Sequence, residues 1–449
     1  MIPATWTDIP APGGLPEARR AAMERYLAQG LPHTRQEDWH YTALDHLTRQ
    51  PLHPPAAGDA SPVIDEAPGH DHGSSASPAI DGGVSETKRM PGAAGPSQTR
   101  GEDAPPLQGG VTHLIFAGER LIETRSTLPT TLLRALEEGD LAAAPTLAPG
   151  TALSALNSAL WKGGGCLTVP RGQRLERPVF LRFLAGEPEA MLHPRSLIRL
   201  EAGAEAVVVE TYTGATAANY WCNPVTEVEL EPGARLTHVR LIEEGAAATH
   251  TGLTAVRLAA ESRYALLDLS LTGRVCRNEL HLALTGVGAA CRLDGLFLSD
   301  GRRHSDHHLR VEHAVPGTAS RTTYRGVAAG RGLGIFDARV LIRPGADGTD
   351  ARQDSRNLLL SPHAEIDAKP QLEIYADQVQ ASHGATVGRL SEEALFYLRT
   401  RGIDRIEARR LLLAAFAGEA LGLVAEAGLD DWLMPRITAR LNEIGESIQ

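Results

Sequence analysis

Imidazole can serve as acid, base or metal ligand near neutral pH. Two places in this 449-residue sequence present it where chemistry is conceivable. One is His383, set between Ser382 and Gly384 in QASHGATVG. Small neighbours leave its ring accessible, although a lone histidine is more often structural. The other is RRHSDHHLRVEH, which holds His304, Asp306, His307, His308 and His313. Read as a strand, its alternation puts His304, Asp306 and His308 on one face, a metal triad by residue type. The plainer reading is a polar outer face on one strand. A third histidine pair, His70-Asp71-His72, lies in a polar tract and reads as incidental.

Other chemistries are limited by what the sequence lacks. The four cysteines, Cys166, Cys222, Cys276 and Cys291, contain no C-x-x-C pair. No zinc ribbon or self-contained four-thiolate cluster site is written here, and the cysteines read as small buried hydrophobes. No G-x-x-x-x-G-K-[ST], G-x-S-x-G or H-E-x-x-H sequence occurs, so the chain is not expected to hydrolyse ATP itself. A net charge of -11 argues against a nucleic-acid surface. The opening MIPATWTDIPAPGG shows neither the basic nor the apolar region of a secretory signal. The most apolar run, Leu411 to Val424, is too short to span a bilayer. The expectation is a soluble, cytoplasmic protein.

The elements that must position these histidines are mainly β. LEAGAEAVVVE from Leu200, LEPGARLTHVR from Leu230, LAAESRYALLD from Leu258 and LTGVGAACRLD from Leu284 form a series. AVPGTAS from Ala314 and IRPGADG from Ile342 continue it. Each unit is a β-rich run, a turn and another β-rich run, repeating every 26 to 30 residues. That regular step predicts a β-solenoid; a sandwich or jelly roll, with its Asp-Gly turns, is the alternative. The predicted organisation is a helical module over 1–53, a Gly/Ala/Pro/Ser-rich linker or insertion over 54–110 and an α/β lead-in over 111–165. The β core follows over 166–388 and a helical domain over 389–449. In the last, Ser391 caps one helix and Asp404 with Glu407 forms a capping box for a second. Leu429 to Ile444 gives a third.

The stretch NLLLSPHAEIDAKPQLEIYADQVQASHGATVGRLSEEALFYLRT, Asn357 to Thr400, resembles the C-terminal signature of the SufB/SufD family of the SUF iron–sulfur assembly system. LPHTRQEDWHYTAL, Leu31 to Leu44, resembles the entry motif of SufD-type members, and Trp39 and Tyr41 there read as pins for the helical module. The resemblance covers Thr151 to Glu446 well and Leu15 to Leu47 moderately. It implies a right-handed parallel β-helix core flanked by helical domains. It also implies a non-catalytic scaffold subunit that pairs with a SufB-type subunit through the end of the β-helix. A SufC-type ABC ATPase would dock on the helices after Ser391. His383 is implied as the residue contributing to a transient iron–sulfur cluster shared with SufB. Ala364 stands where SufB-type members carry their cluster-building cysteine, and Ala381 where many SufD-type members have cysteine. The chain therefore looks like the SufD branch, lending nitrogen to a site whose thiolate comes from elsewhere. Homodimerisation in isolation is a further possibility.

Two rivals belong to other classes. A β-helix carbohydrate lyase would group carboxylates and basic residues in a groove, with Asp268, Asp294 and Arg292 as candidates. A stand-alone metal-binding structural protein would use the His304, Asp306 and His308 cluster.

Overall fold

The architecture is that of a computed structural model describing residues 2–10, 15–55, 112–126, 128–143, 147–215 and 217–447. Most of the expected linker, with His70, Asp71 and His72, lies outside the described residues. The core is a parallel β-solenoid. Its chain winds between a 10-stranded and an 11-stranded sheet, adding one strand to each sheet per turn. Among the described residues no helix is long and apolar enough to cross a membrane.

The repeat seen in the sequence is the rung of this solenoid. Leu200, Leu230, Leu258, Leu284, His313, Ile342 and Ile374 stack in register on successive strands. The series Leu200, Leu230, Leu258, Leu284 and Ile342 is fully buried in the interior. The one offset is at Ala314, whose neighbour His313 takes the interior position. His313 is satisfied there by Thr318 at 2.8 Å and Ser320 at 2.9 Å. Register holds because a one-residue slip would turn every interior side chain outward. One corner of each rung needs a left-handed residue. Gly203, Gly233, Gly288 and Gly317 supply it, and Glu261 adopts the same conformation at φ 58 without being glycine.

Two helical layers flank the interior. Helix Glu17–Gln29 packs on helix Ala152–Leu160, and both join Trp6, Trp39, Leu44, Leu47, Met191 and Trp221 in one apolar cluster. Trp39 is buried, but under Arg277 of the 11-stranded sheet, whose guanidinium lies 3.9 Å from the ring centre. It pins the N-terminal segment to the solenoid, whereas Tyr41 is exposed and pins nothing.

Helices Glu392–Thr400, Arg405–Gly418, Gly422–Glu426 and Asp430–Ser447 form the C-terminal layer. Ser391 and Asp404 accept the N-terminal amide bonds expected of them. The single second helix expected from Arg405 is broken at Glu419–Leu421 into two. The bundle does not sit on the end of the rod. Leu413, Leu423, Leu433, Ile437, Leu441 and Ile444 bury against the outer face of the 10-stranded sheet, on Val239, Leu241, Leu267, Leu269 and Leu296. The helices lie along that sheet because they bury its outward leucines.

Candidate functional site

The solenoid ends in two strands that each pair on one side only. Strand Glu365–Ile374 closes the 11-stranded sheet against Leu333–Ile342, and strand Gln380–Gly388 closes the 10-stranded sheet against Asp350–Leu359. His383 lies in the middle of the second. It tops an inward-facing column formed by His238, Leu266, Leu293, Thr322 and Gln353 on the preceding rungs. Below it the column is closed by the next rung; at His383 it is open, and the side chain is exposed.

The ring bridges the two end strands. Its Nδ1 lies 3.0 Å from the carbonyl oxygen of Pro370, which can only accept, so Nδ1 carries the proton. Nε2 is left with its lone pair free, the arrangement in which imidazole binds a metal with a carbonyl orienting the ring. One rung beneath, Gln353 of strand Asp350–Leu359 donates to the Gln371 carbonyl at 3.1 Å and ties that strand to Glu365–Ile374. Beside His383 opens a cleft of about 350 Å³ bordered by Arg321, Arg352, Asp354 and Ser382. Pro370, Gln353, Arg321 and Arg352 were not singled out in the sequence. Gln353 and Arg352 were findable by stepping back one rung, 30 residues, from His383 and Ser382.

Ala381 is half-buried in the neighbouring inward column above Ala351. Ala364 is buried in the corner that precedes Glu365. Neither position offers a side chain that could ligate.

His304, Asp306 and His308 do project from one outer face of strand His304–His313, next to Arg277 and Glu279 on the preceding rung. Several of their polar atoms are engaged, although both ring nitrogens of His308 and one Asp306 oxygen have no hydrogen-bond partner among the described residues. Arg277 binds Asp306 at 2.6 Å and Glu279 at 2.9 Å, His308 lies 2.8 Å from Asp306, and Thr42 bonds both Asp306 and His304. A guanidinium therefore occupies the place a cation would take. Burial lowers the His304 pKa. Burial alone would raise the Asp306 carboxyl, but Arg277 and His308 overrule it and hold it well below the ordinary carboxylate range.

The lyase candidates do not share a groove. Asp268 points into the solenoid, where Arg240 at 2.8 Å, His307 at 3.0 Å and Tyr324 at 3.2 Å surround it. Asp294 points outward with Arg292, which reaches Glu426 of the C-terminal helices at 2.7 Å. The sheet separates the two carboxylates, so the required grouping is not formed.

The sequence model described as "SUF system FeS cluster assembly, SufBD core domain" matches residues 183–416, which is more than half of the chain. The chain belongs to the SufBD family. Within this family it is 32% identical over 279 residues to the iron–sulfur cluster assembly protein SufD of Escherichia coli, covering 61% of this chain and 66% of that one. It is 35% identical over 262 residues to the chloroplastic protein ABCI7 of Arabidopsis thaliana, covering 56% and 55%. The SufB of Bacillus subtilis aligns at 26% over 269 residues, covering 59% and 57%. The chain thus spans between half and two thirds of the length of these SufBD relatives.

Proposed function

We propose that this SufBD chain is a SufD-type, non-catalytic scaffold subunit for iron–sulfur cluster assembly in the cytoplasm. The observation that carries the reading is His383: an exposed imidazole on the terminal strand, held at Nδ1 by the Pro370 carbonyl so that Nε2 is outside that bond. The unpaired edges of Glu365–Ile374 and Gln380–Gly388 are templates for strand addition. A SufB-type subunit pairing with them would bring its thiolate to His383, and the isolated chain would use the same edges to homodimerise. Mixed cysteine and histidine ligation is chemically reasonable on iron. In this reading the nascent cluster is cargo held between the two chains.

The SufC-type ATPase would dock on the exposed side of the C-terminal helices. There Phe396, Tyr397, Ile406 and Leu411 are between 44% and 67% exposed, while the opposite side is spent on the sheet. The engaged Arg277 network supports reading the His304 cluster as structural.

The test is iron and acid-labile sulfide in the complex co-expressed with SufB and SufC, comparing wild type with His383→Ala. An intact complex that loses its cluster in the variant is the expected result. Equal iron and sulfide in both would remove His383 from the site.

A further inference from the structure

Among the described residues one group of potential metal ligands is closed around a common point, and it is neither of the histidine sites above: Cys222, Glu244 and His250. All three are buried, and their ligand atoms lie within 4.8 Å of one another. Cys222 and His250 are register partners on adjacent rungs of the 11-stranded sheet, both facing inward. Glu244 enters from the corner after strand Arg235–Glu243. The group lies four rungs below the open end, roughly 19 Å at the ordinary strand spacing.

The polar accounting of this corner does not close. Both ring nitrogens of His250 and one carboxylate oxygen of Glu244 are buried without a hydrogen-bond partner. Buried polar atoms in that state call for an explanation, a bound ion being one; His113 and His308 share the state, and only here among the described residues do three ligand types converge. His250 Nδ1 and Glu244 Oε1 are 3.4 Å apart. That matches the roughly 3.3–3.4 Å edge of a tetrahedron whose metal–N/O bonds are about 2.0–2.1 Å. The ring is held edge-on to Tyr212, with centres 5.0 Å apart, and Gly252 leaves the space that Nε2 occupies. Cys276, on the next rung, is turned toward Ser270 Oγ at 3.4 Å and stands outside the group.

We propose that Cys222, Glu244 and His250 form a mononuclear site for a borderline-soft divalent cation, zinc by preference, clamping one corner of the solenoid. Thiolate, imidazole and carboxylate together select such an ion over magnesium or calcium. The thiolate, the Glu244 carboxylate and the dication together leave a net neutral group in the core.

The experiment uses the full chain with His383→Ala, to silence the exposed imidazole, produced in minimal medium with cobalt in place of zinc. The expected result is one cobalt per chain, a near-ultraviolet thiolate-to-cobalt charge-transfer band and intense visible bands of four-coordinate cobalt. Cys222→Ser should lose the charge-transfer band, His250→Gln should lose most of the bound cobalt, and Cys291→Ser, a buried thiol elsewhere in the interior, should keep both. A parent chain without the charge-transfer band overturns the proposal without reference to any further variant. So does a band that survives Cys222→Ser or vanishes in Cys291→Ser.

Discussion

Replacing Arg277 by leucine tests whether the outer histidine face is a structural clamp. The guanidinium is about as buried as a charge can be, at 1% exposure, and it serves two carboxylates, Asp306 at 2.6 Å and Glu279 at 2.9 Å. It also covers Trp39. Leucine leaves Asp306 fully buried with its strongest partner gone. Removing one member of a buried pair costs about 3–5 kcal/mol, and a desolvated cation–π contact adds up to about 2 kcal/mol. Retained packing by leucine offsets part, so we expect a loss of about 4 kcal/mol at pH 7.5. At about 2.1 cal/mol/K of unfolding entropy per residue, that is a fall in Tm of about 4–5 °C for a chain of this size.

The pH dependence gives a second, independent signature of the same clamp. In wild type the Asp306 pKa lies below its unfolded value. Its contribution is present above the unfolded pKa of about 3.9 and is lost as pH falls through the folded value. Without Arg277 burial dominates, the folded pKa rises above the unfolded one, and the sign reverses. The variant's deficit should therefore shrink between pH 7.5 and pH 5. Adding Asp306→Asn to the leucine variant removes the stranded charge and should recover about half of the loss. Urea melts at both pH values measure all three quantities. A deficit under about 1 kcal/mol at pH 7.5, or one that does not shrink at pH 5, would falsify the clamp.

Other expectations concern separate parts of the molecule. Burial pushes the Glu119 carboxyl up to about 8, so it costs stability as pH rises from its unfolded value of about 4.3 through 8. Glu119→Gln keeps an acceptor for the His193 amide and should melt above wild type at pH 8.5 and level with it at pH 5. Glu261→Gly relieves a left-handed non-glycine corner and should add about 1 kcal/mol in denaturant melts, since its exposed pair with Arg263 is worth little. Leu433→Ala, fully buried beneath the C-terminal helices, should cost about 2–5 kcal/mol. It should raise amide exchange in residues 392–447 before the solenoid strands respond. Tyr397→Glu should leave the melting temperature within experimental scatter but abolish capture of the SufC-type ATPase, as a pull-down would show.

The rung was legible because every turn of a solenoid solves the same problem. The chain must bury an aliphatic residue, turn a corner and begin the opposite strand, so Leu200, Leu230, Leu258 and Leu284 recur at nearly constant spacing. The end strands and the helix caps at Ser391 and Asp404 were legible for local reasons. Contacts across the interior were not. Pro370 meets His383 only because a five-residue turn brings two sheets together, and nothing in either residue type announces it. The helix bundle shows the same limit. Leu411 and Leu413 are alike in sequence, yet Leu413 is buried on the sheet and Leu411 is exposed. Cys222 and His250 read as unrelated until the chain is folded by its own 28-residue step.

The last rung of the solenoid is paired on one side only, so this end is a place where association must be managed. Natural sheets protect such edges with charge, proline or glycine. Here Glu365, Asp367, Lys369 and Pro370 lie on one terminal strand and Gly384 on the other. Proline is tolerated only at an edge or a bulge, so Pro370 fits a strand that no further rung of this chain follows. These devices discourage indiscriminate pairing, while the exposed Ile374 and Val387 and the backbone groups of the edge stay available to a matching partner. His383 stands where any such partner must arrive, with one nitrogen fixed to the chain's own backbone and the other unspent. In the proposed function, pairing the edge and completing a ligand set at Nε2 would be the same event in space. A cargo metal bound there would be shielded while the edges are joined and exposed when they part. That coupling needs no moving element in this chain, only a partner whose own motion separates the two ends.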